Sequence, residues 1–565
     1  MTNIDLDRVN AWVADDPDAD SQAEIKQLLA TAQAGGEDGA AAEAELADRF
    51  RGELTFGTAG LRGALGAGPN RMNRAVVIRA AAGLVAYLKK KVGDDFHLVI
   101  GFDARYGSKQ FAEDTAAVAV AAGGRASLFA RTLPTPVTAF ALRHLDADAA
   151  VVVTASHNPP QDNGYKVYLG GRAVTDSGQG AQIVPPADAE IYAAIQAVES
   201  IAAVPRAESG WQMLGEDVVE AYMDRAASLA GEGPRDLRIV LTSMHGVGGE
   251  TAVEVFKRAG FTDVHPVAEQ FQPDPDFPTV SFPNPEEPGA LDLSFALARE
   301  KDADIIIAHD PDADRCSAAI PDPTVEGGWR QLTGDEVGAL LGEAVARECA
   351  GDPGAVLANS IVSSRLLSRI AKTHGLAHRA TLTGFKWISR VDGIVFGYEE
   401  ALGYCVDPNY VRDKDGISAS VKLVEMAAQA KARGVSLQDE LDDLARTHGL
   451  HATAPLSIRV ENLELIAQGM ANLRANGVAE LAGSPVVTTL DLSQGSDDLP
   501  PTDGLVFTSD RGDRVIARPS GTEPKLKCYL ETIVEVGSED VAGARKVAAT
   551  RLEQMKADMR AALGI

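Results

Sequence analysis

Short runs of apolar residues that end in a polar loop recur along the chain. The clearest are HLVIGFDAR (97–105), AAVVVTASHNP (149–159), LRIVLTSMHG (237–246), ADIIIAHDPDADR (303–315) and GIVFGYEEALGY (393–404). Alanine-rich stretches typical of helices lie between them, around residues 110–122, 252–259, 334–349 and 417–432. Apolar strands that alternate with helices are typical of parallel α/β sheets covered on both faces, where ligands bind beyond the carboxyl ends of the strands. The pattern therefore predicts sites in several of the polar loops.

The same pattern divides the chain into four domains, three of the α/β class with mixed sheets and a C-terminal α+β domain. The predicted bounds are 1–205, 206–325, 326–450 and 451–565. A break around 196–216 and a Pro/Gly-rich stretch at 321–330 suggest the first two divisions. In the last domain we expect a closing helix from about 538, and strands near 485–490, 504–508, 513–518 and 526–535. The first 45 or so residues are expected to be helical.

The composition is that of a folded protein with a strongly acidic surface. The chain has 565 residues, with 53 Lys and Arg against 81 Asp and Glu, and a formal net charge of −28. This charge disfavours binding to nucleic acids and anionic membranes, so neither is expected as a partner. No stretch approaches the roughly 20 apolar residues of a membrane span, and the first residues do not resemble a signal peptide. The four cysteines form no Cys-x-x-Cys pair, and a reducing cytoplasm is the expected location.

A serine hydroxyl is the first candidate for chemistry. Ser156 lies in TASHNPPQDNGYKVY (154–168), directly after the predicted strand 149–153. A serine needs activation or modification before it reacts, and this one lies outside the Gly-x-Ser-x-Gly elbow of α/β-hydrolases. An isolated serine of this kind usually caps a turn. The long polar context is what makes Ser156 a candidate.

Three alternating carboxylates form a candidate metal site. Asp310, Asp312 and Asp314 lie in DPDADR, directly after an apolar run. Carboxylate oxygens suit Mg²⁺, whereas an EF-hand is excluded because Arg315 and Pro321 occupy the positions that require Gly and Glu. A phosphatase with Asp310 as nucleophile stays an open alternative for this loop.

The pentapeptide DPDAD also occurs at residues 16–20, which provides an internal comparison. That copy has no preceding apolar strand, and Ser21 replaces the arginine that follows the later copy, Arg315. We interpret the earlier copy as a solvated turn at the start of a helix, where Asp is favoured. The metal prediction therefore depends on the strand and on Arg315, and not on the pentapeptide alone.

Three further loops contain groups that can bind sugars or phosphates. Glu399 and Glu400 can accept hydrogen bonds from sugar hydroxyls, although two glutamates would equally suit a solvated helix start. RPSGTEPKLKCYLE, which begins at Arg518, combines cations, small hydroxyls and a glycine, as in a phosphate cradle or a Ser-Gly turn. FGTAGLRG (56–63) is by itself only a Gly-rich loop.

Together and in this order, the motifs resemble those of the α-D-phosphohexomutase superfamily. The family's active-site loop reads Thr-Ala-Ser-His-Asn-Pro, its metal loop Asp-x-Asp-x-Asp-Arg, its sugar loop Gly-Glu-x-x and its phosphate loop Arg-x-Ser-Gly-Thr. The resemblance extends from about residue 50 to 531 and implies the four-domain phosphohexomutase architecture. It also implies a phosphoryl group on Ser156, Mg²⁺ in the aspartate loop and a hexose 1,6-bisphosphate as activator.

The resemblance implies a role for each matching residue. The implied metal site consists of Asp310, Asp312, Asp314 and the phosphate of Ser156, with Arg315 in the metal loop. The implied catalytic residues are Ser156, His157, Arg62, Lys166 and Lys414. The implied substrate-binding residues are Lys386, Glu399, Glu400, Arg412, Arg518, Ser520, Gly521, Thr522 and Lys527.

The implied activity is that of a phosphosugar mutase, which interconverts sugar 1-phosphates and 6-phosphates through phosphoserine and a bisphosphate intermediate. Tyr398 and Ala401 depart from the family's commonest sugar loops and look more like the branch of phosphopentomutase-type and related glucomutases. Small sugar phosphates are thus the expected partners, glucose phosphates first, with mannose and pentose phosphates as alternatives. A metal-dependent sugar-phosphate phosphatase and a non-catalytic sugar-phosphate binder are the alternatives from other classes. The expected assembly is a monomer or a homodimer.

Overall fold

The computed structural model describes residues 5–57, 60–459, 463–496, 499–519, 525–537 and 540–564. The chain forms two compact units. The first runs to Gln331 and also includes the later segment Asp407–Glu425. The second comprises Leu332–Val406 and continues from Met426.

The helices lie mostly between the strands, as the alternating pattern predicts. They are α1 Leu6–Asp15, α2 Ala19–Ala34, α3 Gly36–Phe50, α4 Arg74–Val92, α5 Ser108–Ala121, α6 Thr135–His144, α7 Ala187–Gln196, α8 Glu216–Ala227, α9 Gly249–Arg258, α10 Ala268–Phe271, α11 Asp292–Lys301, α12 Gly334–Glu348, α13 Leu366–Thr373, α14 Phe385–Ile388, α15 Gly416–Ala432, α16 Leu437–His448, α17 Leu463–Asn476 and α18 Val541–Leu563. None of these helices, over the ranges that the structure describes, is both long enough and apolar enough to cross a membrane.

Over the described residues, the strands are short and belong to four sheets. They are β1 Leu61–Ala64, β2 His97–Phe102, β3 Arg125–Phe129, β4 Ala149–Val153, β5 Asp162–Leu169, β6 Gln212–Leu214, β7 Ile239–Thr242, β8 Val264–Pro266, β9 Ile305–His309, β10 Cys316–Pro321, β11 Trp329–Gln331, β12 Val356–Ser360, β13 Ala377–Thr381, β14 Ile394–Glu399, β15 Gly403–Cys405, β16 Leu450–Arg459, β17 Glu480–Leu481, β18 Ser484–Asp491, β19 Leu505–Ser509, β20 Arg514–Pro519 and β21 Lys525–Val534.

The first unit contains two mixed sheets. The first sheet has the strand order β1-β5-β4-β2-β3-β6, with β4, β2, β3 and β6 parallel and with β5 and β1 added antiparallel. The second has the order β11-β10-β9-β7-β8, with β9, β7 and β8 parallel. Strands β4 and β9 are buried along their whole length, as expected for continuous apolar runs within a sheet. The serine loop follows β4 and the aspartate loop follows β9.

The second unit contains a mixed sheet and an antiparallel sheet. The third sheet has the order β13-β12-β14-β15, in which β15 is antiparallel to its neighbour. The fourth has the order β16-β21-β20-β19-β18-β17 and is antiparallel throughout. Helices α17 and α18 pack on this sheet over a core that includes Leu473, Phe507 and Met555. The predicted fold class, three mixed α/β domains and a C-terminal α+β domain, is therefore confirmed.

Most of the predicted elements are confirmed as well. The strand predicted at 149–153 is β4, and the four alanine-rich stretches are α5, α9, α12 and α15. The four strands predicted in the last domain are β18 to β21, and the closing helix α18 follows them. The N-terminal residues form α1 to α3, which share a small core of Val9, Ile25, Leu46 and Phe50.

Two stretches that the sequence suggested as domain divisions have a different structure. The Pro/Gly-rich stretch 321–330 joins β10 to β11 as a hairpin, with Pro321 opposite Trp329. Strand β6 lies beyond the predicted boundary at 205 but pairs with β3 in the first sheet. Turn residues mark a change of chain direction, and direction changes within a sheet as well as between domains. The four domain bounds stay predictions.

The first copy of DPDAD marks a helix start, as predicted. Asp18 is the N-cap of α2, and its side chain accepts hydrogen bonds from the backbone N–H groups of Asp20 and Ser21. The description of this turn as solvated is wrong for Asp16, which is 2% exposed and accepts a hydrogen bond from Ser21 Oγ. Burial accordingly raises the pKa of the Asp16 carboxyl.

Candidate active site

Ser156 lies in the loop that follows β4, with its hydroxyl directed at the aspartate loop. The residue is 3% exposed and has a φ of 52°, in the left-handed region that residues other than glycine rarely adopt. Its Oγ donates a hydrogen bond to Asp310 Oδ2 over 2.9 Å and lies 3.1 Å from His157 Nδ1. Such backbone conformations cost about 1–3 kcal/mol and cluster at functional sites.

The three predicted metal ligands converge after β9. Asp310, Asp312 and Asp314 are each no more than 1% exposed, and one carboxylate oxygen from each lies within 4.8 Å of the others. Ala313 has a φ of 54°, which turns the chain between the second and third carboxylates. The backbone N–H of Arg315 donates to Asp310 Oδ1 over 3.1 Å. The alternation that the sequence shows therefore becomes a cluster.

The carboxylate oxygens of this cluster fit a cation. Asp312 Oδ2 accepts hydrogen bonds from Thr135 Oγ1 (2.6 Å) and Lys166 Nζ (2.7 Å), and Asp314 Oδ2 accepts one from Lys166 Nζ (2.7 Å). The other oxygen of each, Oδ1, is buried and has no hydrogen-bond partner among the described residues. A buried oxygen without a partner is costly unless a cation binds to it. The cluster could therefore hold a metal ion.

The electrostatics of the cluster lead to the same conclusion. Burial raises the pKa of the Asp310 carboxyl well above its usual range, and the charges of Asp312 and Asp314 raise it further. Burial also opposes ionisation of Asp314, but Lys166 and Lys414 outweigh that effect and lower the pKa of Asp314. The pKa of Lys166 is raised, since Asp312 and Asp314 outweigh the burial of its ammonium group. Three carboxylates this close need more positive charge before all of them ionise.

Arg62 and His157 lie beside Ser156. Arg62 is on β1 opposite Gly164 of β5, and its Nη1 donates to Asn158 Oδ1 over 3.1 Å. Burial lowers the pKa of the Arg62 guanidinium, an effect that nearby carboxylates partly offset. Burial lowers the pKa of His157 well below its usual value, and the charges of Arg315 and Arg62 lower it further. His157 is therefore neutral at pH 7.

Two predicted residues come from the segment Asp407–Glu425, which belongs to the first unit. Lys414 Nζ lies 3.4 Å from Asp314 Oδ2 and 3.6 Å from Asp413 Oδ1. Arg412 Nε instead donates to the backbone carbonyl of Ser177 over 3.0 Å. The first unit thus places Lys414 at the aspartate cluster and uses Arg412 to bind a neighbouring loop.

Sequence reasoning missed two residues that the structure brings to this site. Arg105, after β2, donates hydrogen bonds to the backbone carbonyls of Ser156 (2.6 Å) and Asn158 (2.5 Å). Thr135, at the start of α6, contacts Asp312 through both its hydroxyl and its backbone N–H. The polar end of HLVIGFDAR was a signal for Arg105. Thr135 follows no apolar run of this kind, and the sequence gives little sign of its role.

The predicted sugar loop is a hairpin of the second unit rather than a helix start. Glu399 ends β14 and is half-buried, as is Glu400 in the turn before β15. Glu400 Oε2 accepts hydrogen bonds from Ser360 Oγ (3.0 Å) and Ser363 Oγ (2.9 Å). Burial, and then the charges of Glu399 and Asp335, raise the pKa of Glu400 to about 7. Ser360 and Ser363 therefore fix the orientation of the second glutamate.

The predicted phosphate site has two cations on neighbouring strands of the second unit. Arg518 on β20 lies directly opposite Lys527 on β21. Like charges at opposite positions of an antiparallel pair destabilise a sheet, so an anion bound at this position would stabilise the pair. Arg518 Nη1 donates to Thr383 Oγ1 over 2.5 Å, and the buried Lys386 of α14 follows three residues later in the chain. Three further predicted residues lie outside the described residues: Ser520, Gly521 and Thr522.

Comparison with known proteins gives matches along most of the chain. Four domain descriptions of phosphoglucomutase/phosphomannomutase match in order: alpha/beta/alpha domain I at residues 53–202, domain II at 220–324, domain III at 333–448 and the C-terminal domain at 457–540. A Haemophilus influenzae protein named "Probable phosphomannomutase" is 47% identical over 462 residues, which cover 81% of this chain and 93% of that protein. The phosphopentomutase of Mus musculus is 34% identical over 597 residues, which cover 96% of this chain and 92% of that protein.

The fold is also similar to that of solved structures. A phosphoglucomutase/phosphomannomutase family protein from Burkholderia thailandensis matches with a TM-score of 0.66 and 22% identity, over 90% of this chain and 97% of that one. At this identity the similarity shows the fold alone. The family resemblance predicted from the motifs is thus confirmed by the domain matches and the long relatives: the chain belongs to the phosphoglucomutase/phosphomannomutase family and is a mutase.

Proposed function

We propose that this phosphosugar mutase works through a phosphorylated serine at position 156. The observation that carries the proposal is the 2.9 Å hydrogen bond from Ser156 Oγ to Asp310 Oδ2. It joins the serine hydroxyl of the active-site motif to the candidate metal cluster, across 154 residues of sequence. A hydroxyl beside a cation site is well placed to carry a phosphoryl group, because the cation offsets the phosphate charge.

The proposed reaction has two phosphoryl transfers. In the first, the bond between phosphorus and Ser156 Oγ breaks, a bond from phosphorus to a sugar hydroxyl oxygen forms, the hydroxyl proton leaves to a base, and Ser156 Oγ takes up a proton. The product is a sugar bisphosphate, which then reverses its orientation. In the second transfer, the bond between the other phosphorus and its sugar oxygen breaks and a bond from that phosphorus to Ser156 Oγ forms. The Ser156 proton passes to the sugar oxygen, and the isomeric sugar monophosphate leaves.

The proposed roles follow from the protonation states. His157 is neutral, with Nδ1 3.1 Å from Ser156 Oγ, so its imidazole can accept a proton at the reacting oxygen. Lys166 stays charged between two carboxylates and offsets negative charge beside them. Arg62 adds positive charge beside the serine loop, and Lys414 adds it beside the aspartate loop. Positioning and electrostatics, rather than covalent chemistry by other side chains, would then lower the barrier.

Mg²⁺ is the proposed metal ion, because three hard carboxylate oxygens in a loop match its preference. Asp312 Oδ1 and Asp314 Oδ1, which have no partner among the described residues, would hold it together with Asp310. When bound, such an ion offsets charge on the oxygens of the transferring phosphoryl group.

The second unit has the proposed substrate-recognition residues. We assign Glu399 and Glu400 to hydrogen bonds from sugar hydroxyls. Arg518, Lys527 and Lys386 would bind the phosphate that is not reacting, because clustered cations on rigid elements favour an anion. The loop of Ser520, Gly521 and Thr522 is assigned to the same phosphate by its motif. Arg412 is proposed to support the substrate site through the loop that contains Ser177.

The sugar and the activator belong to the proposal. Glucose phosphates are the proposed substrates, and mannose and pentose phosphates are the alternatives that the names of the two relatives suggest. An unmodified Ser156 needs a phosphoryl donor, and a hexose 1,6-bisphosphate would supply one by the reverse of the first transfer. The proposed setting is the cytoplasm, with a monomer or homodimer as the assembly.

The decisive experiment compares Ser156→Ala with Ser127→Ala. Ser127 is 2% exposed, on strand β3 of the same sheet, and its hydroxyl bonds only to the ring of His97 among the described residues. With Mg²⁺ and a hexose 1,6-bisphosphate, we expect phosphate on Ser156 by mass spectrometry and isomerisation of glucose 1-phosphate in the wild type and in Ser127→Ala. Ser156→Ala should fold and lose both.

The same assay separates the alternatives. Wild-type turnover in Ser156→Ala would refute the phosphoserine. Release of inorganic phosphate in place of an isomer would indicate a phosphatase, and ligand binding without label or turnover would indicate a silent binder. Rates on glucose, mannose and ribose 1-phosphates then identify the sugar.

A further inference from the structure

The Ser156 loop has an internal support that none of its motifs predicts. Arg105 lies just beyond β2, and its side chain is 1% exposed. Its Nη2 donates to the carbonyls of Ser156 (2.6 Å) and Asn158 (2.5 Å), and its Nη1 donates to those of Pro159 (2.8 Å) and Asp162 (3.1 Å). One guanidinium therefore binds four carbonyls within the seven residues 156–162.

The loop needs this support because it has few backbone hydrogen bonds of its own. Pro159 and Pro160 have no N–H group, so they cannot donate a backbone hydrogen bond. Buried carbonyls without partners are costly, and the left-handed conformation of Ser156 adds strain. The hydrogen bonds from Arg105 give partners to the carbonyls of Ser156 and Asn158, add a second donor at the carbonyl of Pro159, and oppose relaxation of the loop.

Arg105 is itself held in place. Asp103 Oδ1 accepts hydrogen bonds from the backbone N–H of Arg105 (3.0 Å) and from Ser108 Oγ (2.6 Å), and Asp103 Oδ2 lies 3.4 Å from Arg105 Nε. The ring centroid of Phe277 lies 5.0 Å from the guanidinium carbon. A carboxylate and an aromatic face thus fix the plane of the donor group before the loop binds to it.

We propose that Arg105 is a positioning residue for phosphoryl transfer, which holds Ser156 in its left-handed conformation with Oγ directed at Asp310. This inference rests on the proposed function, since it concerns the transfer at Ser156. Arg105 acts through the backbone of the loop and does not contact Oγ in any described interaction. A lysine cannot replace it, because an ammonium group is a single point and lacks the planar fork that reaches four carbonyls.

The test compares Arg105→Lys with Arg74→Lys. Arg74, on α4 of the same unit, makes a bidentate pair with Asp114, so its replacement by lysine removes a comparable fork away from the loop. With a hexose 1,6-bisphosphate as donor, we expect Arg105→Lys to phosphorylate Ser156 about 100-fold more slowly than the wild type, since small misplacements cost about that much. Its KM for the sugar phosphate should stay within about threefold, and Arg74→Lys should label at the wild-type rate.

Hydrogen exchange provides a readout that does not depend on activity. The amides of Asn158 and Asp162 donate to Ala155 and Pro159 within the loop, and we expect them to exchange about tenfold faster in Arg105→Lys than in the wild type. Exchange in α4 should not change. If Arg105→Lys does not fold, Asp103→Asn serves as the substitute variant, because it keeps Arg105 but weakens the contact that holds its side chain. It should show slower phosphorylation of Ser156 and faster amide exchange, both to a smaller extent.

The outcomes separate this inference from the function on which it rests. A wild type that is never labelled refutes the phosphoserine, and exchange then still decides whether Arg105 holds the loop. The inference is overturned if the wild-type protein is labelled and if Arg105→Lys, or its substitute Asp103→Asn, is labelled and exchanges at the same rates as the wild type.

Discussion

The hydroxyl of Thr135 should determine how tightly the aspartate cluster binds a metal ion. Thr135 Oγ1 donates to Asp312 Oδ2 over 2.6 Å, and the residue is fully buried. This hydrogen bond and the one from Lys166 both go to Oδ2, so that the other oxygen of Asp312, which has no partner among the described residues, stays available for an ion. Thr135→Val keeps the shape of the side chain and the backbone hydrogen bond to Asp312 O (2.9 Å), and it removes only the hydroxyl donor.

The size of the effect follows from the kind of hydrogen bond that is lost. A hydrogen bond to a charged group contributes about 1.5–3 kcal/mol, and partners that orient metal ligands typically change affinity by about 10- to 100-fold. We therefore expect Thr135→Val to bind divalent metal about 10- to 100-fold more weakly. Thr135→Ser keeps the donor and should bind within about twofold of the wild type.

The assay is titration of the unphosphorylated protein with Mn²⁺, followed by the loss of its free-ion electron paramagnetic resonance signal. No sugar phosphate is present, so the result reports on the site and not on turnover. Circular dichroism of each variant controls for folding. Equal or tighter binding in Thr135→Val would refute the reasoning, because the hydroxyl would then only withdraw charge from Asp312.

Three further predictions concern the metal, the sugar loop and the phosphate site. Asp312→Asn should abolish isomerisation and weaken Mn²⁺ binding at least tenfold, whereas Asp18→Asn, the equivalent position of the other DPDAD, should leave both unchanged in the same assays. The pKa of Glu400 is about 7 in the folded protein, against about 4.5 in an unfolded chain, so the folded state binds this proton more tightly. Raising the pH from 5 to 8 removes the proton and therefore lowers the free energy of unfolding by up to about 3 kcal/mol. Glu400→Gln should therefore show a smaller fall in unfolding temperature over that range by scanning fluorimetry, and an equal fall would contradict the assignment. In steady-state kinetics, Arg518→Met should raise the KM for sugar phosphate about 10- to 100-fold, and Arg518→Lys should raise it less. An unchanged KM would exclude the pair of Arg518 and Lys527 from phosphate binding.

The sequence determined those features that depend on neighbouring positions. Continuous β-branched runs predicted β4 and β9, and both are buried strands. The motifs predicted Ser156 and the three aspartates as site residues, because each motif consists of a few consecutive residues whose types and spacing can be read directly from the sequence. The helix start at the first DPDAD was predictable for the same reason, since an N-cap bonds to the next turn.

Only the tertiary structure decided which distant groups meet. Thr135 and Asp312 are 177 residues apart, and Lys166 reaches Asp314 across 148 residues. The contact of Arg105 with the serine loop likewise depends on β2 and β4 being neighbours in the sheet. Periodicity shows that a residue is in a strand or a helix, but strand order and sheet packing determine its partners. That is why the sequence could predict Ser156 and the three aspartates as candidate site residues, whereas the residues that hold them in position became visible only in the fold.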